Sequence, residues 1–195
     1  MGKDAQVEAF WPDGGRDAGR LQYEPPKLIF RGAARRVFEG EGLVGVTAHG
    51  CDLVMASGAR FRLPTNAAGW ADAIAKPKGR LEKLGVKPGL RIAVLNLGDA
   101  DFAAELASAG PLAGEPDLDL LFYGADSAPE LAAIGDLVPR LADRGALWVV
   151  SLKGKAARVK DVEVMAAAKA HGLVDTKVCA FSDTRTALKF VRRRS

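Results

Sequence analysis

Residues Arg91 to Phe102 read RIAVLNLGDADF. The stretch begins with an apolar run, passes a single glycine at Gly98, and continues through acids into a short amphipathic segment. A near-continuous apolar run is typical of a strand that helices cover on both faces, as in a parallel sheet. Asp99 or Asp101 is placed to cap the helix that follows. The stretch therefore predicts a strand, a loop and a helix at the start of an α/β domain.

The chain beyond this stretch repeats the pattern. LDLLFYGA at 118–125 and ALWVVSLKG at 146–154 are two more apolar runs of strand length. Between and after them we predict helices over 129–142, bent or broken at Pro139, and over 159–171. DTKVCAFSDTRTALKFVRR then predicts two strands joined by a turn. Regular alternation of strands and helices predicts a parallel sheet with right-handed crossovers, and the final hairpin adds an antiparallel edge.

The first part of the chain has a different period. Short runs broken by glycine predict strands over 27–32, 35–40, 43–50, 51–58 and 59–64. Apolar and charged residues alternate in several of them, which indicates strands with one face buried. WPDGGRDAG, which precedes these runs, is rich in turn residues and predicts a loop. We therefore expect a small, mainly antiparallel β domain.

Two short helices follow the predicted β domain. NAAGWADAIAK has Asn66 at the N-cap position, and KGRLEKLG ends at Gly85, a residue suited to a helix C-terminus. The strand and helix alternation begins directly afterwards. We therefore predict two domains, a β-rich one over 1–85 and an α/β one over 86–195.

Composition excludes several classes of protein. The 195 residues are 48% hydrophobic and 27% charged, as in globular proteins that bury a core. No apolar run approaches the roughly 20 residues that span a bilayer, and the N-terminus lacks the apolar region of a signal peptide. We expect a cytoplasmic protein with no membrane partner.

Charge is distributed unevenly along the chain. Residues 86–150 carry 4 basic and 10 acidic side chains, whereas residues 151–195 carry 11 basic and 4 acidic ones, ending in Arg192, Arg193 and Arg194. This basic end could contact an anionic partner. A solvated tail explains it more simply, and a net charge of +4 is small. Nucleic acid is therefore disfavoured as a partner. The sequence does not identify the partner, which could be a protein.

The second half resembles a known family. LGVKPGLRIAVLNLG, ALWVVSLKG and GLVDTKVCAFSDTRTALKFVRR look like a bacterial family catalogued as domain of unknown function 3052, over about Leu84 to Arg193. A C-terminal antiparallel hairpin after a βαβα series is also how S-adenosylmethionine-dependent methyltransferase-like folds end. The resemblance implies a Rossmann-like domain and implies no activity.

The loop after the first strand departs from the methyltransferase pattern. That pattern is E/D-x-G-x-G-x-G, whereas here Ala100 and Asp101 stand where further glycines are expected. Acids in this loop would repel the phosphates of a dinucleotide. Strands two and three, with the acid that accepts the ribose hydroxyls, have no candidates. We therefore predict a truncated, degenerate Rossmann-like domain, with no cofactor expected and S-adenosylmethionine disfavoured.

Four residues are the candidates for a pocket. Gly98, Asp99, Asp126 and Lys153 follow the predicted parallel strands, and open α/β sheets bind ligands at the carboxyl ends of their strands. Asp99, Asp101 and Asp126 could also cluster as a metal or acid–base site, but capping and solvation explain each one. No metal is therefore expected.

The cysteines and histidines indicate no site. Cys51 and Cys179 lie far apart in apolar runs and are predicted to be buried free thiols. Together with His49 and His171 they would form a zinc site only by long-range convergence, which no spacing indicates.

Three functions remain open, and the sequence leaves undecided whether the protein is an enzyme. The first is a non-catalytic binding or interaction protein. It is favoured because the apolar pattern of the core is retained, whereas the loop after the first strand lacks the glycines expected of a ligand-binding loop. The alternative is a small-molecule enzyme or a binder of an S-adenosylmethionine-type ligand at the carboxyl edge of the sheet. The second alternative is nucleic-acid contact through the basic C-terminal segment.

Overall fold

The computed structural model describes residues 2–109 and 117–193. The chain divides into two compact units, Met1–Gly79 and Arg80–Ser195. The division precedes the predicted boundary at Gly85, because the helix that Gly85 ends belongs to the second unit. Leu84 of that helix is buried in the core of the second unit.

The first unit is an antiparallel sheet. Over residues 2–79 seven strands pair in the order β4-β3-β2-β1-β7-β6-β5, and every pair is antiparallel. The strands are β1 (Lys3–Phe10), β2 (Arg16–Glu24), β3 (Lys27–Arg31), β4 (Arg35–Phe38), β5 (Thr47–His49), β6 (Asp52–Val54) and β7 (Arg60–Arg62). A 3₁₀ turn over Gly40–Leu43 occupies part of the gap between β4 and β5.

The first hairpin corrects the sequence prediction. WPDGGRDAG was expected to be a loop, but only its first part turns, and β1 and β2 pair on either side of it. The inward residues of β1 are Ala5, Val7 and Ala9, whose small side chains give a weak hydrophobic alternation. Gly19 lies opposite Val7. The inward side chains of this strand pair are buried in the core of the first unit, although the sequence of β1 has only a weak alternation.

One helix covers the inner face of this sheet. Helix α1 (Ala68–Ala75) buries Trp70 and Ile74 against the core formed by the strands. Asn66 was predicted to be the N-cap, but Ala67 has that position. Asn66 lies one residue earlier, and its Oδ1 accepts a hydrogen bond from the backbone N–H of Ala68 at 2.7 Å. At one end of the core, Phe30 and Phe61 pack with Trp11.

The second unit has a mixed sheet. Its described residues form five strands in the order β11-β12-β10-β9-β8. They are β8 (Ile92–Leu95), β9 (Leu118–Gly124), β10 (Leu141–Leu152), β11 (Leu173–Ala180) and β12 (Arg185–Arg192). β8, β9 and β10 are parallel, and β12 runs antiparallel to both β10 and β11. This is the predicted α/β arrangement, a parallel sheet with a terminal antiparallel hairpin.

Helices lie on both faces of the mixed sheet. They are α2 (Arg80–Leu84), α3 (Ala100–Ser108), α4 (Ala128–Ala132), α5 (Ile134–Leu137) and α6 (Asp161–Ala170). α2 and α3 pack Leu84, Phe102 and Leu106 onto one face, and α4, α5 and α6 cover the other. Apolar side chains therefore point both ways from the central strands, which is why those strands have no alternation.

Pro139 ends the helical segment earlier than predicted. The expected helix over 129–142 is divided at Ala133 into α4 and α5. After Leu137 a 3₁₀ turn over Val138–Arg140 follows, since Pro139 cannot donate the next helical hydrogen bond. β10 consequently begins at Leu141, and its pairing with β9 shifts register between Leu141 and Ala146.

The cysteines also differ from the prediction. Cys51 is exposed because it lies in the turn between β5 and β6, outside the apolar part of its run. Cys179 is partly buried, and this burial raises the pKa of its thiol.

Within the described parts of the chain, no helix has the length and apolarity needed to cross a membrane.

Candidate functional site at the carboxyl edge of the mixed sheet

The loops that follow β8, β9 and β10 meet at one edge of the sheet. The three strands are parallel, so their carboxyl ends lie side by side. All four residues predicted to line a pocket, Gly98, Asp99, Asp126 and Lys153, follow these ends. The start of β12 reaches the same edge, because Arg185 pairs with Leu152.

Asn96 joins the loop after β8 to the end of β9 and to α4 through hydrogen bonds. Its backbone is left-handed, with φ of +50°, a region that asparagine tolerates better than most residues. Its side-chain Nδ2 donates to the carbonyl of Gly124 at 2.8 Å and to Oε1 of Glu130 at 2.7 Å. A Cβ at Gly124 would overlap the carbonyl oxygen of Asn96, so glycine is required for the close approach.

Glu130, in α4, accepts hydrogen bonds from the loop after β8 and from the loop after β9. Its Oε2 accepts hydrogen bonds from the backbone N–H of Asp126 at 2.7 Å and from Oγ of Ser127 at 2.8 Å. The hydrogen bond from Asn96, followed by those from Asp126 and Ser127, holds the pKa of the Glu130 carboxyl below its usual range. Glu130 is thus a carboxylate that orders the edge.

Asp126 joins the second loop to the third strand and to the hairpin. Its Oδ1 accepts from the backbone N–H of Leu152 at 2.7 Å, and its Oδ2 accepts from Nη1 of Arg185 at 3.0 Å. Both side chains of this ion pair are about one-fifth exposed, at 22% each. Both carboxylate oxygens of Asp126 therefore have structural partners.

Arg80 lies at the centre of a second cluster. Its Nε and Nη2 donate to the two carboxylate oxygens of Glu105 at 3.0 Å each, and Nη1 approaches Oδ2 of Asp99 at 3.4 Å. The guanidinium also lies over the rings of Phe102 and Phe181, 5.2 and 5.1 Å from their centroids. Only 15% of the side chain is exposed.

The carboxylates around Arg80 raise the pKa of its guanidinium. Burial lowers the pKa of Arg80. The hydrogen bonds and negative charge of Glu105, with the charges of Asp99 and Asp101, raise this pKa by more than burial lowers it, so the net shift is upward. Asp99 has a second contact, because its Oδ1 caps α3 by accepting from the N–H of Phe102 at 2.7 Å. Capping by Asp99 is thus confirmed.

A shallow cleft opens beside this cluster. It has a volume of about 740 Å³ and lies between α3 and the turn of the β11–β12 hairpin. The polar or aromatic residues that line it are Arg80, Asp101, Glu105, Ser108, Phe181, Ser182 and Asp183. Lys153 is tied to the same turn, since its Nζ donates to the carbonyl of Ser182 at 2.8 Å. Asp101, Glu105 and Asp183 carry three negative charges and Arg80 carries one positive charge, so the side chains that line the cleft have a net negative charge.

The four predicted residues have different environments. Asp99 and Lys153 border the cleft through Arg80 and Ser182, whereas Asp126 is occupied by Arg185 and Leu152. Gly98 is exposed, and none of the described atoms lies within 4 Å of a Cβ built on it. A ligand role for these residues stays a prediction.

The remaining candidates do not assemble into a site. Across residues 2–109 and 117–193, no three His, Cys, Asp or Glu side chains are grouped to hold a metal ion. Asp99 and Asp126 bind separate arginines instead of clustering. His171 follows α6 and lies against Gly135. Arg192 donates to the carbonyls of Val138 and Leu141, a structural role, and Arg194 lies outside the described residues.

Several residues of the edge were missed from the sequence. They are Arg80, Asn96, Glu130, Phe181 and Arg185. One local signal was available, because Ser127 and Glu130 have the S-x-x-E spacing of a capping box. The other contacts join residues far apart in the chain, and no spacing marks them.

Comparisons with known proteins found structures but no sequence family. No family model matches the chain, and no curated protein matches it. A TehB-like SAM-dependent methyltransferase from Corynebacterium glutamicum is 12% identical with a TM-score of 0.46, over 64% of this chain and 95% of that one. A SAM-dependent O-methyltransferase from Thermotoga maritima is 12% identical with a TM-score of 0.44, over 98% and 94%. Aeropyrum pernix fibrillarin with natively bound S-adenosyl-L-methionine is 10% identical with a TM-score of 0.43, over 85% and 94%.

These comparisons correct two predictions. Two of the three proteins are named as SAM-dependent methyltransferases, and the third contains S-adenosyl-L-methionine. The main prediction of a non-catalytic binding protein is therefore contradicted, and so is the prediction that S-adenosylmethionine is disfavoured. At 10–12% identity, the likeness concerns the fold alone.

Proposed function

We propose that the second unit is a small-molecule enzyme that binds a ligand of the S-adenosylmethionine type at the carboxyl edge of its sheet. The observation that carries the proposal is the cleft beside α3, which Asp101, Glu105 and Asp183 line together with Arg80. Open α/β sheets bind their ligands at this edge. The cleft is open to solvent on one side, which gives a ligand a route in.

The charges of the cleft fit the aminoacyl end of such a ligand. S-adenosylmethionine carries a sulfonium and an ammonium group, and the carboxylates of Asp101 and Asp183 are suited to both cations. Its single carboxylate requires a cation, and Arg80 has N–H donors beyond those that Glu105 and Asp99 accept. The negative excess also disfavours phosphate-bearing ligands. The bound group would supply an activated methyl.

The proposal includes a truncated sheet. α3 ends at Ser108 and β9 begins at Leu118, a separation shorter than the dozen or more residues that one parallel crossover needs. Strands two and three of the methyltransferase order therefore have no room in the sequence. The acid that accepts ribose hydroxyls would be absent with them, so most recognition falls on the aminoacyl end. We also propose that Leu84 to Arg193 belong to the family of domain of unknown function 3052.

Isothermal titration calorimetry of the full chain tests this function. We expect S-adenosylmethionine and S-adenosylhomocysteine to bind, and methylthioadenosine, which lacks the aminoacyl end, to bind at least about tenfold more weakly, a difference of about 1.4 kcal/mol. The double variant D101N/D183N should bind S-adenosylmethionine several-fold more weakly. Asp136→Asn removes an exposed carboxylate from α5 and is the matched control.

Two outcomes would overturn the proposal. One is the absence of heat and of thermal stabilisation at millimolar S-adenosylmethionine, since a ligand at about 100 times its Kd should add about 2.7 kcal/mol to stability. The other is equal affinity in the double variant and the control. If binding is present, release of S-adenosylhomocysteine with a panel of nucleophiles would then identify the acceptor.

A further inference from the structure

The outer face of the seven-stranded sheet carries most of the basic side chains of the first unit. Directly opposed residues of an antiparallel pair share a face, so the registers of the strands define which residues lie there. The basic residues of this surface, called the arginine face below, are Arg16, Arg20, Lys27, Arg31, Arg35, Arg60 and Arg62. Its acids are Asp4, Glu8, Glu24 and Asp52, and Glu39 forms an ion pair with Lys27. The arginine face therefore has an excess of positive charge, although the face lies on a sheet whose other side is apolar.

One row of arginines crosses three neighbouring strands. Arg20 of β2 lies opposite Arg31 of β3, which lies opposite Arg35 of β4. Adjacent strands are about 4.8 Å apart, so the row places three guanidinium stems within about 10 Å. Among the described residues, Arg31 and Arg35 form no ion pair, whereas Arg20 is bound to Asp4. Like charges this close disfavour the fold slightly, and an anion would relieve the repulsion.

A second group surrounds Phe10. The guanidinium carbon of Arg60 lies 4.3 Å from the ring centroid, and those of Arg16 and Arg62 lie 5.5 Å from it. Asp52 accepts hydrogen bonds from both Arg60 and Arg62, so one carboxylate offsets only one of their two charges. Planar cationic groups are thus arranged around an aromatic ring at the surface of the sheet.

These features fit an extended polyanion that also has flat groups. We infer that the arginine face binds single-stranded nucleic acid. Guanidinium forks bind phosphates, and guanidinium planes and aromatic rings stack on any base. The arginine face extends across the neighbouring strands β4, β3, β2, β1 and β7, which suits an extended strand laid across it better than a small ligand. This inference concerns the first unit and does not depend on the function proposed for the second.

An anionic membrane would require different residues. Apart from Phe10, the larger apolar side chains of the arginine face are Ile29, Val37 and Val54, and Ile29 is buried. A surface that enters the lipid interface needs exposed apolar groups as well as charge. Only Val37 among these is markedly exposed, at 38%. Charge and stacking planes, rather than apolar area, dominate the face.

Fluorescence anisotropy with the full chain tests the inference. The probes are labelled single-stranded DNA and RNA 20-mers of mixed sequence, titrated at several salt concentrations. We expect the triple variant R16Q/R31Q/R35Q to bind at least about tenfold more weakly at about 50 mM salt, and the slope of log affinity against log salt to become shallower by about two, at about 0.7 for each phosphate that is no longer neutralised. Phe10→Leu should weaken binding at least about fivefold with the slope unchanged, because it removes a stacking plane and no charge.

A matched variant separates local contacts from overall charge. K155Q/R158Q/K169Q removes the same charge from exposed positions of the second unit and should bind like the wild type. Thermal unfolding of each variant checks that the first unit is folded. The inference is overturned if the wild type shows no salt-dependent binding, or if both triple variants weaken it equally. It is also overturned if phosphatidylserine vesicles bind tighter than the 20-mers and compete for the same face.

Discussion

The carboxylate of Glu130, in the first turn of α4, accepts a hydrogen bond at 2.7 Å from the side-chain amide of Asn96, which lies 34 residues earlier in the loop after β8. The same amide donates to Gly124, and the same carboxylate accepts from Asp126. Two parallel strands are thereby joined where both end. The edge at which a ligand would bind is thus a fixed platform rather than a set of independent loops.

The close approach at the end of β9 can be tested with two glycines. Gly124→Ala should destabilise the second unit by about 1–3 kcal/mol, because the new methyl group would overlap the backbone of Asn96. Gly98→Ala, in the same edge but in open space, should change stability by less than about 0.5 kcal/mol. Urea unfolding followed by hydrogen exchange in β9 and β10 measures both. Equal effects of the two substitutions would contradict the packing described.

Asn96 contributes through its backbone as well as its side chain. Asn96→Gly keeps the left-handed conformation and loses two hydrogen bonds, at about 0.5–1.5 kcal/mol each. Asn96→Ala loses the same bonds and adds at least about 1 kcal/mol of backbone strain. We therefore expect alanine to be the more destabilising of the two in urea unfolding. The reverse order would show that the left-handed backbone costs nothing.

The acid stability of the second unit should depend on Glu130. Its pKa lies below the usual 4.5 in the folded state, so its contribution to stability is fully present above about pH 4.5 and is lost as the pH falls through the lower, folded pKa. Glu130→Gln should therefore lose less stability than the wild type over this acid range. Unfolding free energies between pH 3 and 6 measure the difference. Parallel pH curves for the two proteins would refute it.

Arg80 holds α3 and the hairpin turn together through a fork that lysine cannot copy. Arg80→Lys should cost about 1–2 kcal/mol, since an ammonium cannot make the paired bonds to Glu105 or place a planar group over the rings of Phe102 and Phe181. Hydrogen exchange should increase in α3 and at residues 181–184. Arg144→Lys, at an exposed position of β10, is the control. An unchanged exchange pattern in α3 would show that the cluster does not support the cleft.

The architecture of the second unit follows closely from the sequence. Apolar runs such as LDLLFYG are of strand length, and burial on both faces accounts for their lack of alternation. Asp99 is at the cap position that its spacing indicates. In contrast, β1 was missed because alanine and valine give little contrast with their polar neighbours.

The candidate site was predicted only in its location. The carboxyl ends of the strands could be found from the strand pattern, and Gly98, Asp99, Asp126 and Lys153 do follow them. Which partners those residues have depends on folding, because Arg80 and Arg185 come from elements far from them in the chain. Long-range ion pairs leave no periodicity in a sequence. The cleft itself depends on these pairs, so it could not be seen beforehand.

The position of Arg80 has a practical consequence for dividing the protein. Arg80 directly follows Gly79, the last residue of the first unit, and α2 places Leu84 in the core of the second. A recombinant fragment begun at Val86, as the sequence pattern alone would suggest, would leave Glu105 without its cation and expose the apolar surface that Leu84 covers. Loss of ligand affinity in such a fragment would reflect where the chain was cut and not what the intact protein does.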